Sequence, residues 1–71
     1  MTDRKQAIDT LIEVMNSGSY AVDVRAGAAE GLGFAGGEEA REALVKVIKG
    51  TSNAVELRKA AAVALGRAAR A

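Results

Sequence analysis

Two stretches decide how this chain reads: DVRAGAAEGLG, Asp23 to Gly33, and ELRKAAAVALG, Glu56 to Gly66. Each sets an acid two residues before an Arg and then runs through small residues to Leu-Gly. They lie about 33 positions apart, and the same shift carries the match outward in both directions. Ala7 falls on Ala40, Leu11 on Leu44, Val14 on Val47, Ser19 on Ser52 and Ala35 on Ala68. Conservative pairs fill the gaps, Ile12 with Val45, Met15 with Ile48 and Val24 with Leu57. A fixed period of this length marks an array of supersecondary units, each unable to bury its apolar face alone.

Each copy reads as two helices. Ala7, Ile8, Leu11, Ile12, Val14 and Met15 recur at the spacing that gathers residues on one helical face. The break follows at Asn16 to Ser19. A second helix is expected from about Ala21 to Phe34, with Val24, Ala28, Leu32 and Ala35 along one stripe. Gly36-Gly37 stops it, because glycine tolerates the positive φ that ends a helix. The third helix opens on Glu38 and Glu39 and closes on Lys46, Lys49 and Gly50, charges that oppose the helix dipole at each end. Thr51-Ser52-Asn53 precede the fourth, and Asn53 with Glu56 has the spacing of a capping box. That helix runs to the C-terminus with Leu57, Ala60, Ala61, Ala64, Leu65 and Ala68 inward. The expected architecture is all-α, an α-α superhelix fragment of four antiparallel helices in two hairpin repeats. One domain spans 1–71, repeat 1 covering about 3–36 and repeat 2 about 37–71. The expected core is Leu11, Val14, Leu32, Leu44, Val47, Leu57 and Leu65.

Composition narrows the functions. The 71 residues contain no Cys and no His, which removes disulfides and the commonest transition-metal ligands. Without those two side chains a nucleophile would have to come from Ser17, Ser19, Ser52, a Thr, Tyr20 or a Lys, each needing a positioned base. No catalytic, cofactor or metal residue is therefore assigned, and no enzyme activity is expected. Asp9 and Glu13 share a helical face, but two carboxylates make a poor site for a cation that takes six or more oxygens. A net charge of +1 sets up no field for nucleic acid or an anionic membrane. The longest apolar run, Ala60 to Gly66, is too short to span a bilayer. The N-terminus MTDRKQ lacks the pattern of a signal peptide, so a cytoplasmic protein is expected.

The two quoted segments resemble the second helix of a HEAT repeat, and more closely the HEAT-like repeat of the phycobilisome lyases. The resemblance spans nearly the whole chain. It implies an α-solenoid of helical hairpins, whose members are mostly scaffolds for protein partners, with branches that hold bilin chromophores or DNA. The count differs from the family: two copies are fewer than the three or so that bury a continuous core, and neither end has a polar capping repeat. Either the chain belongs to a longer array or its open ends pair with another chain; Met1 favours a complete small protein.

Asp23, Arg25, Glu56 and Arg58 admit two readings. Arg25 and Arg58 form a row gripping phosphate or carboxylate, or the acid of one repeat pairs with the Arg of its neighbour in a stacking ladder. The resemblance supports the ladder. GLGFAG, Gly31 to Gly36, matches the dinucleotide fingerprint literally, but that motif works only between a strand and a helix start; here its glycines read as repeat punctuation. Gly27 and Gly31, matched by Ala60 and Ala64, line a side where a neighbouring helix can come close. Arg58, Lys59, Arg67 and Arg70 make the last helix basic without the aromatic or polar base readers of a nucleic-acid site. The leading expectation is a non-catalytic protein–protein interaction scaffold or adaptor, partnered by another protein or by itself as an end-to-end homodimer. The alternatives are a chromophore-lyase or chaperone-like subunit and weak nucleic-acid binding through the basic last helix.

Overall fold

The computed structural model describes residues 1–70. Four helices follow in order, α1 Arg4–Asn16, α2 Val22–Ala35, α3 Glu38–Lys49 and α4 Val55–Arg70. No strand occurs among the described residues. The helices form two hairpins, α1 with α2 and α3 with α4, and the hairpins meet chiefly along α2 and α4.

The helix ends follow from local chemistry. Asp3 begins α1 with a complete capping box: its carboxylate accepts from the Gln6 backbone N–H at 2.8 Å, and the Asp3 N–H donates to Gln6 Oε1 at 3.0 Å. Such reciprocal bonds satisfy two amides that have no partner inside the helix. The D-x-x-Q spacing was there to be read. At the end of α2, Gly36 and Gly37 both take positive φ, 68° and 88°, and the Gly36 N–H returns to the Leu32 carbonyl at 3.0 Å. Reversal between the repeats thus depends on glycine, which has no Cβ to oppose positive φ.

The expected capping box at Asn53 and Glu56 does not form. The helix starts two residues after Asn53, its first turn closed by the Arg58 N–H on the Ala54 carbonyl. The Asn53 amide instead turns back and donates to the Val47 carbonyl at 3.1 Å, joining the Gly50 N–H on that acceptor at the end of α3.

The core holds Ile8, Met15, Leu32, Leu44, Val47 and Leu57 together with six alanines, Ala28, Ala29, Ala40, Ala61, Ala64 and Ala68. Of the seven expected core residues, Leu32, Leu44, Val47 and Leu57 are buried. Leu11, Val14 and Leu65 are only half-buried and pack against the core from outside it. Met15 and Ile8, in the same amphipathic run, face inward in their place. The stripe drawn along α2 needs correction too: Val24 is 48% exposed while Ala28 and Leu32 are buried.

The density of alanine has a geometric cause at Gly33. A Cβ placed there would lie 2.8 Å from the Ala64 Cα and 2.9 Å from its carbonyl oxygen. The backbones of α2 and α4 therefore meet with no room for even a methyl group. The close approach expected at Gly27 and Gly31 falls elsewhere: nothing stands within 4 Å of a Cβ on Gly27, and Gly31 faces only the Leu11 side chain.

Leu44→Ala removes a fully buried side chain and is expected to cost about 2–5 kcal/mol, read from the urea midpoint in dilute solution. The same measurement separates two equivalent glycines. Gly33→Ala drives a methyl into the α4 backbone and should cost about 1–3 kcal/mol. Gly66→Ala meets nothing within 4 Å and should stabilise α4 by up to about 1 kcal/mol.

Candidate interaction faces

The arginine of each repeat motif has one structural task, and it is performed twice. Arg25 Nε donates to the Met15 carbonyl at 2.9 Å, and Arg58 Nε donates to the Ile48 carbonyl at 2.9 Å. Both acceptors lie in the last turn of the preceding helix, among carbonyls left without an intrahelical partner. A guanidinium there also meets the negative end of the helix dipole, in a helix, α1, whose last turn has no basic residue of its own. Each hairpin is thereby clamped where its chain turns.

The stacking ladder between repeats is not formed. Neither Asp23 nor Glu56 pairs with an arginine, and among the described residues the ion pair present is Lys5 with Asp9, 3.4 Å apart and exposed. The acids sit in the first turns of α2 and α4, where negative charge suits the dipole. The motif thus charges the two neighbouring helix ends of one hairpin and does not bridge hairpins. Nor do the arginines form an open row for anions, because both are half-buried and committed to carbonyls. A second clamp closes the far end of the first hairpin, where Arg4 Nη2 donates to the carbonyls of Ala35 at 3.0 Å and Gly36 at 3.2 Å.

The basic last helix divides accordingly. Arg58 turns toward the end of α3, while Arg67 lies over the Phe34 ring, 5.2 Å from its centroid. Lys59 and Arg70 are exposed. Of the four cations expected as one surface, Arg58 leaves it, while Arg67 shares one groove with Lys59 and another with Arg70. The GLGFAG segment occupies the last turns of α2 and its stop, at the wrong end of a helix to offer amides to a phosphate. Among the described residues, no three acidic side chains gather as a metal-binding group, and Asp9 faces Lys5 instead. Among the described residues, no helix is long and apolar enough to cross a membrane.

What the structure does offer comes from comparing the two copies position by position. Val24 is 48% exposed, whereas its equivalent Leu57 is completely buried. Ala7 is exposed and Ala40 buried; Leu11 is half-buried and Leu44 buried. On the opposite side the order reverses. Ala29 and Gly33 are buried, and their equivalents Ala62 and Gly66 are exposed. Each hairpin thus has two stacking faces, and the single junction covers one from each. Left open are a leading face, built on Ala7, Leu11, Val24 and Gly27, and a trailing face, built on Val45, Val55, Ala62 and Gly66. No sequence signal distinguishes the covered copy of a position from its open twin.

Antiparallel helical hairpins stacked through a repeated face define an α-solenoid protein. The family model for HEAT repeats matches residues 8–70, and the chain belongs to the HEAT repeat family. No curated protein and no solved structure matches it. HEAT repeats are generally protein-interaction scaffolds, and the family is typically non-enzymatic.

The two explanations of the acid-x-Arg motif separate experimentally. Arg58→Met keeps the aliphatic stem but strands the Ile48 carbonyl, and is expected to cost about 1–2 kcal/mol in urea unfolding. Glu56→Gln should move stability by less than about 0.5 kcal/mol. A ladder would make the two losses comparable.

Proposed function

We propose that this chain is a non-catalytic protein–protein interaction scaffold or adaptor that takes its partners on the two open stacking faces. The observation that carries the reading is the reversed burial of equivalent positions, Val24 against Leu57 and Gly66 against Gly33. Surfaces shaped to be covered inside the chain stand uncovered at its ends. Val24 and Val55 are about half or more exposed there, and exposed apolar groups with a polar rim mark interaction sites. Family membership supports the same conclusion, since HEAT repeats generally act in this way.

The finer likeness, to the HEAT-like repeats of phycobilisome lyases, rests on the two acid-x-Arg segments ending in Leu-Gly. A chromophore-lyase or chaperone-like role draws on that likeness alone. Nucleic-acid binding through the last helix is weakened by the engagement of Arg58 with α3 and of Arg67 with Phe34. A cytoplasmic setting, unbroken association of the two repeats as one domain and the absence of a cofactor belong to this reading.

The test places a photo-crosslinking side chain at Val24 or Val55, with a control at Ser19 in the exposed turn after α1. Irradiation in cells is expected to give protein adducts at both faces and few at the control. Adducts to nucleic acid, or none above the control, would overturn the proposal.

A further inference from the structure

We infer that a second copy of this chain docks head to tail, its leading face on the trailing face of the first, in the register of the internal junction. The inference rests on the reading of the open faces as protein-binding surfaces and names their occupant.

The internal junction is the template. Along α1 and α3, Ile12 and Asn16 share a groove with Glu42, Ala43 and Lys46. Advancing every residue by one repeat gives the junction between copies. Val45 and Lys49 of one copy then face Asp9, Thr10 and Glu13 of the next. Along α2 and α4, Ala26 and Glu30 share a groove with Glu56, Lys59, Ala60 and Val63. Advanced in the same way, Lys59 and Val63 of one copy face Asp23, Ala26, Gly27 and Glu30 of the next.

Charge sorts itself across this junction. Where the internal contact sets neutral Asn16 beside Glu42 and Lys46, the contact between copies sets Lys49 beside Asp9 and Glu13. Where it sets Ala26 beside Glu56, the contact between copies sets Lys59 beside Asp23. All five of these charged residues are exposed, and Asp9 keeps Lys5 as a neighbour on its own helix. Opposite potentials on two faces give register and partner choice.

Shape agrees with charge. Gly66 holds the position of Gly33, where α4 comes so near that no Cβ fits, yet nothing stands within 4 Å of a Cβ at Gly66. Ala62 likewise holds the position of buried Ala29. On the incoming face, Gly31 stands at the position of Ala64, where a Cβ would meet only the Leu11 side chain at 3.3 Å, and nothing stands within 4 Å of a Cβ on Gly27. The second surface is therefore at least as open to backbone approach as the one already used.

A face that meets a different face is heterologous, so association does not stop at two. Sedimentation between about 10 μM and about 1 mM, the range of a modest dissociation constant, should show a mean mass rising past the dimer and falling with added salt. Gly66→Arg blocks the trailing face and Val24→Arg the leading face, and each alone should stay monomeric. Gly27→Arg serves as a second leading-face block should Val24→Arg fail to melt cooperatively. Mixed together, a leading-blocked and a trailing-blocked chain still own one free face each and should form a one-to-one dimer. Adding Lys59→Glu to the leading-blocked chain should weaken that dimer about two- to five-fold, and Asp23→Lys in its partner should restore it.

A wild-type chain that stays monomeric throughout, a mixture that stays monomeric, or a dimer abolished by only one of the two blocks would overturn the inference. If the chain is monomeric while photo-crosslinks at Val24 and Val55 capture other proteins, this inference fails and the interaction-scaffold reading stands.

Discussion

Where α2 crosses α4, the Gly33 backbone lies so close to Ala64 that a single methyl group would collide with the opposite main chain. Much of the remaining structure follows from that distance. Helices this near leave space only for hydrogen or methyl side chains at the crossing, where Gly33 meets Ala64 and Ala29 is covered while its equivalent Ala62 is not. Alanines bury little apolar area each, and burial is what stabilises a small fold. The larger contributions fall to Met15, Leu32, Leu44 and Leu57, all fully enclosed and spread over the four helices. A chain of this length has little margin, which makes each of those side chains matter.

Helix polarity supplies the second constraint. Asp23 and Glu56 place negative charge in the first turns of α2 and α4. Two residues on, Arg25 and Arg58 reach back to the closing carbonyls of α1 and α3. One short motif therefore serves both helix ends that meet at the turn of a hairpin. This accounts for the recurrence of acid and base together without any pairing between them, and it fixes how the two helices of a hairpin align. Stacking then joins the hairpins along small residues of α2 and α4, with Leu44 and Leu57 covered beside them.

The helices were largely legible in the sequence because apolar spacing, terminal charges and glycine stops are local signals. Gly36-Gly37 ends α2 as glycine chemistry requires, and Leu32, Leu44, Val47 and Leu57 lie inside as their spacing suggested. The errors arose where a residue had two partners within reach. Asn53 had the spacing to cap α4 but found the Val47 carbonyl. The arginines had acids at the matching position of the other repeat but found carbonyls in their own hairpin, a shorter reach that also removes an unsatisfied acceptor. Leu11, Val14 and Leu65 belong to amphipathic faces, yet they lie where the face turns away from the one junction present.

By itself the sequence determined the period, the four helices, the reversal at the paired glycines and the HEAT-repeat character carried by the acid-x-Arg segments. These are properties of neighbours along the chain, and each copy states them independently. Tertiary structure alone decided which copy of a position is covered. Val24 and Leu57, or Gly33 and Gly66, are equivalent in the repeat and opposite in burial, because burial is a relation between two hairpins and each of these hairpins has only one neighbour.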